Sequence, residues 1–304
     1  MIAITLATAI GLAFPLPSLP SAASGTGVSY AASSVSPGQQ CFVEVPSGSI
    51  VVNQTATSAV VIWSNGTKHT YSLSAGSCSA VMGEAPTING WVESTQHTLG
   101  SGYYSGLLDY WNVPTAPSGD NGNWGGQLIY AFDGVQDSDY IFQPVLGWGC
   151  EAYSPILGIC VLGGGHWWIS AEVCNSSCAF TSAITVSAGD QISGNVIFLN
   201  GDRNHCPNTN GNYYSVIVKD VTTGSSAVVT TCSNGGALGV SGALEMYRIS
   251  SCSQLPQSPY DLDFNNIAST PSVSSWTGQT NSVSPSCSFS AIGGSNYGLL
   301  YWYP

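Results

Sequence analysis

Basic residues are nearly absent from this chain: Lys68, Arg203, Lys219 and Arg248 stand against 16 acidic residues, for a net charge of −12. Four cations cannot neutralise a run of phosphates, so nucleic-acid binding is excluded. Charged residues of either sign make up only 7% of the sequence. Chemical signatures are missing too. There is no Gly-x-Ser-x-Gly elbow, no phosphate-cradling glycine loop before a helix and no His-Glu-x-x-His zinc site. The four histidines, His69, His97, His166 and His205, are scattered and read as surface or packing residues. No window carries a sustained helical period. After the first twenty residues no segment is long and apolar enough to span a membrane.

What remains is rich in Ser, Thr and Gly, with 36 Gly, 15 Tyr and 9 Trp. Beta-branched and aromatic residues outnumber the straight-chain helix formers, and apolar alternation recurs in short bursts between Gly/Ser/Asn/Pro clusters. Many short strands at this spacing predict an all-β fold, an antiparallel β-sandwich of two sheets. The pI near 4.2 brings the chain toward neutrality only in acid, where few charges remain to repel one another.

Residues 1–23 read as a secretory signal: an apolar run from Ile2 to Leu19, then Ser21-Ala22-Ala23-Ser24, with cleavage near Ala23. Pro15, Pro17 and Pro20 shorten the run below a spanning helix. Ten cysteines fit an oxidising, extracellular destination. Sequential pairing is the expectation: Cys41–Cys78, Cys150–Cys160, Cys174–Cys178, Cys206–Cys232 and Cys252–Cys287, with a metal as the alternative for Cys174 and Cys178. Sequons at Asn53, Asn65 and Asn175 agree with secretion. Residues 24–84 form a pro-segment, a small β extension or outer strands of the main domain, which occupies 85–304. A monomer is expected.

Two polar residues interrupt apolar strands. Gln143 lies in Tyr140-Ile141-Phe142-Gln143-Pro144-Val145, and Glu245 in Ala243-Leu244-Glu245-Met246-Tyr247. A polar group buried without a partner costs about 1–3 kcal/mol, so such residues are satisfied or used. If Tyr140/Phe142 and Leu244/Met246 face the core, alternation turns Gln143 and Glu245 to the opposite faces of their strands. Ordinary exposed-face residues fit that pattern equally well.

The surroundings resemble a family. Asn112-Val113-Pro114, Phe132-Asp133-Gly134, Phe142-Gln143 with Trp148, Ile184 to Ile192, Val221-Thr222-Thr223-Gly224 and the Glu245 strand follow the order of motifs in the eqolisins, the secreted fungal glutamic peptidases. The resemblance covers roughly residues 91–252. It implies a concanavalin A-like sandwich with Gln143 and Glu245 as the catalytic pair and Asp133 beside them, orienting Gln143 or binding substrate. Trp148, Trp168 and Tyr247 are the candidate substrate contacts, with packing an equal alternative for the tryptophans. Trp167 and Trp168 must point to opposite faces of a strand, so Trp168 is the one assigned to the groove. The sequence departs from the family at Leu128-Ile129-Tyr130-Ala131 and at Trp167-Trp168-Ile169-Ser170, where a supporting carboxylate is lost or moved to Glu172.

In the chemistry this implies, Glu245 is the general base toward water and Gln143 donates to the oxyanion during hydrolysis of a polypeptide. No metal or cofactor is required. Two other readings use the same fold: a carbohydrate-binding protein whose aromatics stack on sugars, and a glycoside hydrolase, which needs a second carboxylate about 5–10 Å from Glu245. Glu151 and Glu172 are the candidates for that second carboxylate.

Overall fold

The computed structural model describes residues 40–55, 57–72, 78–79, 88–118, 127–154, 159–175 and 177–303. The expected signal and its cleavage point near Ala23 lie outside them. Along the chain the strands begin with β1 (Gln40–Val45), β2 (Ser49–Gln54), β3 (Ser58–Ile62), β4 (Lys68–Ser72) and β5 (Cys78–Ser79). Next come β6 (Ile88–Thr98), β7 (Gly106–Asn112), β8 (Leu128–Gln136), β9 (Ile141–Ser154) and β10 (Ile159–Cys174). They continue with β11 (Ser177–Thr181), β12 (Ile184–Thr185), β13 (Gln191–Leu199), β14 (Tyr213–Asp220) and β15 (Ser226–Cys232). The last are β16 (Leu238–Ile249), β17 (Asp261–Thr270), β18 (Thr277–Thr280), β19 (Ser290–Gly293) and β20 (Tyr297–Tyr301). Only two short 3-10 turns, Pro207–Thr209 and Cys252–Gln254, interrupt this pattern among the described residues.

Two sheets result. The first runs β18-β6-β16-β8-β9-β10-β11-β1-β5, with β12 paired to β10; the second runs β19-β20-β17-β7-β13-β14-β15-β2-β3-β4. Pairing is antiparallel except for β1 on β11 and β2 on β15, which are parallel. Residues 40–72 therefore add strands to one edge of each sheet and form no sheet of their own.

Alternation decides which side chains meet between the layers. In β7, Leu107, Asp109 and Trp111 are buried while their neighbours reach the surface. Trp111 packs on Phe264 at 5.0 Å between ring centroids, and Phe142 of the first sheet packs on Tyr214 of the second at 4.5 Å. Glycine marks where the layers come closest. A Cβ on Gly242 would meet the Phe264 ring at 2.7 Å, and one on Gly194 would meet the Asp133 carboxyl at 1.8 Å. Disulfides Cys174–Cys178, Cys206–Cys232 and Cys252–Cys287 agree with sequential pairing. Cys41 stands opposite Cys78 in the β1–β5 register. The side chains of Cys41, Cys78 and Cys160 lie outside the described residues, and with them the other two expected pairs. Cys150 is itself disulfide-bonded.

The layer between the sheets holds acids without cations. Asp109 and Asp133 are fully buried, and no other residue hydrogen-bonds either carboxyl among those described. Burial raises both well above the ordinary aspartate range, and the Asp133 charge raises Asp109 further. Glu93, in register with inward-facing Leu244, is raised to about 9 by burial, offset in part by the Ser290 amide. A carboxyl raised in the folded state contributes stability in full below its unfolded pKa. That contribution is lost as pH climbs through the folded value. Thermal stability is therefore expected to be greatest near pH 4 and to fall steadily toward pH 9. Asp133→Asn and Glu93→Gln should flatten the fall. Calorimetry across that range checks it, and a midpoint constant or rising between pH 4 and 7 would refute it.

Candidate functional site

The face of the first sheet turned away from the second carries its own buried cluster. Leu128, Tyr130, Phe132, Val145, Trp168 and Ala243 form it, with Trp91 and Tyr247 part-buried at its margin. Strand register explains the assembly. Trp91 of β6 stands opposite Glu245 of β16, Glu245 opposite Tyr130 of β8, Tyr130 opposite Gly147 of β9, and Gly147 opposite Trp168 of β10. Residues in one such row share a face. Gly147 has no side chain to block the row, and a Cβ there would meet the Trp168 indole at 2.3 Å. Trp168 lies across it, anchored by its Nε1–H to the Gly149 carbonyl at 3.0 Å. Its ring meets Tyr130 edge-on at 6.1 Å, and Tyr130 meets Tyr247 the same way at 6.1 Å.

Glu245 is the acid within this aromatic row. The Tyr247 hydroxyl, two residues along the same face, donates a short hydrogen bond to its Oε1. Trp91 donates a second from the neighbouring strand. Glu245 keeps some exposed surface as a residue, although protein atoms crowd its carboxyl. Burial pushes that carboxyl up to about 7, the two hydrogen bonds holding it below where burial alone would put it. The ordinary glutamate value of about 4.3, on which a general-base role rests, does not describe this site. In acid Glu245 carries its proton.

The other expected site residues divide between faces. Trp168 and Tyr247 share the face of Glu245, and both are in contact with Tyr130. Trp148 and Trp167 pack against each other at 5.4 Å in the core between the sheets. Asp133 also points inward, onto Gly194 of the second sheet. Trp148 and Asp133 thus do not line the face expected of them, because each shares the parity of core residues: Phe142 and Leu146 for Trp148, Ile129 and Ala131 for Asp133.

Gln143 is buried on the same face as Glu245 but in another row. Its neighbour across β10 is Glu172, and the adjacent Phe142 pairs with Val135. Glu245 pairs with Tyr130, so Gln143 sits four residues further along the sheet and two strands across. At a rise of about 3.3 Å per residue and a spacing of about 4.8 Å between strands, their Cα atoms lie roughly 16 Å apart. The register does not bring the expected pair together. Glu172 lies beyond Gln143 and beside the Cys174–Cys178 disulfide, and the side chain of Glu151 lies outside the described residues. With both sulfurs in that bond, neither cysteine is a thiolate that can hold a metal. Trp91 and Tyr130 escaped the sequence reading. Strand alternation in Trp91-Val92-Glu93 is the available signal for Trp91.

Among solved structures the chain is similar to scytalido-glutamic peptidase with a transition-state analog inhibitor, at 15% identity and a TM-score of 0.43, over 70% of this chain and 98% of that one. A structure of scytalido-glutamic peptidase with a peptide-based transition-state analog has the same identity and coverage at a TM-score of 0.41. SCP-B, a member of the eqolisin family solved with the tripeptide Ala-Ile-His, follows with the same identity and coverage at 0.40. No family model and no curated protein matches. At this distance the similarity carries no chemistry, which rests on the residues themselves.

The hydrogen bonds on Glu245 lower its pKa, so removing one must raise it. Tyr247→Phe is expected to move the Glu245 titration upward from about 7. Carboxyl-carbon NMR, with Glu245→Gln assigning the resonance, checks this; an unchanged or lower midpoint would show that the contact does not tune the acid.

Proposed function

We propose that the chain is a secreted, acid-active peptidase of the glutamic type in which Glu245 alone handles protons at the reacting bond. The supporting observation is its carboxyl, held by Tyr247 and Trp91 in an aromatic row and raised to about 7. A proton-bearing acid at this place acts first as a donor. It protonates the scissile carbonyl oxygen as water adds to the carbon, and the resulting carboxylate takes a proton from the added water. The restored acid then protonates the amide nitrogen as the C–N bond breaks, and the protonated carboxyl product returns its proton to Glu245. Tyr247 and Trp91 stabilise the transient carboxylate at each stage. Gln143, four residues along the sheet, is outside reach of that carboxyl in this register. Secretion is supported by the disulfides and by a described chain in which no helix is long and apolar enough to cross a membrane.

A second reading has one observation in its favour: Trp91 and Tyr247 are part-exposed beside the acid, as a sugar-stacking site requires. Retention on insoluble polysaccharide, lost in Trp91→Ala, would support it. Glu172, in the row of Gln143 and a further strand away, stands well beyond the usual 5–10 Å from Glu245 and does not supply the second carboxylate of a glycoside hydrolase.

Cleavage of a denatured protein across pH 2–9 is the test. Activity is expected to be high in acid and to fall as pH rises through about 7, where Glu245 loses its proton. Glu245→Gln should lower it by about 100-fold or more, and Gln143→Ala should leave it nearly unchanged. Activity that instead rises from pH 4 upward means that Glu245 works as a base. An equal loss in both variants would reinstate the Gln143–Glu245 pair. No cleavage by the wild type at any pH removes the peptidase reading.

A further inference from the structure

Two of the three sequons occupy opposite environments. Asn175 lies inside the Cys174–Cys178 loop and joins the two sheets. Its Nδ2 donates to the Gln54 carbonyl of β2 at 3.1 Å, while its Oδ1 accepts the Ser177 amide at 3.0 Å. The sequon hydroxyl is committed as well: buried Ser177 Oγ donates to the Thr55 carbonyl at 3.1 Å and accepts from Gln54 Nε2 at 2.9 Å. A sugar on Asn175 Nδ2 would replace a donor in the joint between β2 and β11.

Asn65 is the opposite case. It sits at the tip of the β3–β4 hairpin, where Ser64, Asn65, Gly66 and Thr67 are all exposed. The turn is closed by Trp63 N–H to the Thr67 carbonyl at 2.9 Å and Gly66 N–H to the Trp63 carbonyl at 2.8 Å, with Gly66 at φ +82°. That is a three-residue loop ending in a left-handed glycine, the geometry Asn-Gly favours. Asn65 Oδ1 accepts the Thr67 amide at 2.9 Å, and no hydrogen bond engages its Nδ2 among the described residues. Trp63, cross-turn partner of Thr67, is part-exposed and fixed: it stacks on His69 at 3.7 Å and donates to the Tyr71 hydroxyl at 3.2 Å. A part-exposed indole therefore stands two residues before the acceptor on the same turn, and the apolar C–H face of a pyranose packs well on an indole.

We propose that Asn65 carries an N-linked glycan whose first N-acetylglucosamine rests against Trp63, and that Asn175 stays unmodified as a structural amide. This rests on the secretory reading of the N-terminus. In the transfer, Asn65 Nδ2 forms a bond to the anomeric carbon of a lipid diphosphate-linked oligosaccharide. The bond from that carbon to the diphosphate breaks, and the amide proton leaves with the diphosphate. The glycan would stand beside β4, the last strand of the second sheet, whose outer edge pairs with no strand among the described residues. A bulky hydrophilic group there blocks edge-to-edge association.

The full chain is secreted from a eukaryotic host, under a heterologous signal if its own fails, and analysed by intact mass and glycopeptide mapping. Asn65→Gln should remove one glycan's mass. Asn175→Gln should leave glycan mass unchanged and lower the melting temperature. Enzymatic deglycosylation should lower the melting temperature of the wild type more than that of Trp63→Ala, each compared with its own glycosylated form. If Trp63→Ala does not fold, Trp63→Phe should retain most of the effect. An unoccupied Asn65 or an occupied Asn175 in the secreted protein overturns the assignment, and equal deglycosylation effects overturn the Trp63 contact.

Discussion

A shortage of cations governs how this sandwich holds its acids. An acid taken out of water is stabilised by a cation, a metal, strong hydrogen-bond donors or a proton. With two lysines and two arginines in 304 residues, pairing is scarcely available; Asp202 instead meets His205 Nδ1 at 2.8 Å. Lys68, Arg203 and Lys219 are exposed, far from a role in the core. Asp109, Asp133 and Glu93 are nonetheless buried. The proton is what remains to them, and neutral carboxyls are compatible with the apolar layer between the sheets.

The same constraint shapes Glu245 on the other face. Its environment differs from that of the inner acids first in its donors: Tyr247 and Trp91 reach the carboxyl. They keep its pKa near 7 while Glu93, helped only by a backbone amide, is raised to about 9. An acid near 7 can release and regain its proton during a reaction, whereas one held near 9 is a poor donor. The inner acids are enclosed by both sheets as well. Position and donor supply together distinguish a reactive carboxyl from structural ones.

Much of this was legible in the sequence. Composition and alternation point to an all-β sandwich, and parity alone separates Trp167 from Trp168 and groups Glu245 with Tyr247. Counting from Phe142 also sends Trp148 inward, so alternation contained a finding that motif order obscured. Cross-strand register is different. Whether Gln143 or Gly147 lies in the row of Glu245 depends on β8, which stands between their strands, and on irregularities such as the shift between Val240 and Ala243. A pattern with period two gives the face of a side chain but not its height along the neighbouring strand. Trp91 was hidden for a related reason: it enters the site only through pairing with Glu245, more than 150 residues away in sequence.

Stability and reactivity then depend on the same chemical state. Below the ordinary carboxylate range the inner acids are neutral in folded and unfolded chains alike, and holding them in the core carries no electrostatic penalty. As pH rises, the unfolded chain ionises first, and each buried acid that stays protonated weakens the fold by about 1.4 kcal/mol per unit of pH. Glu245 loses its own proton near the middle of that range. The fall in stability therefore begins before the reactive proton is lost, with no separate switch required. Pairing the inner acids with engineered lysines would extend the folded range upward but leave the titration of Glu245 as it is, because its two donors belong to a different face of the sheet.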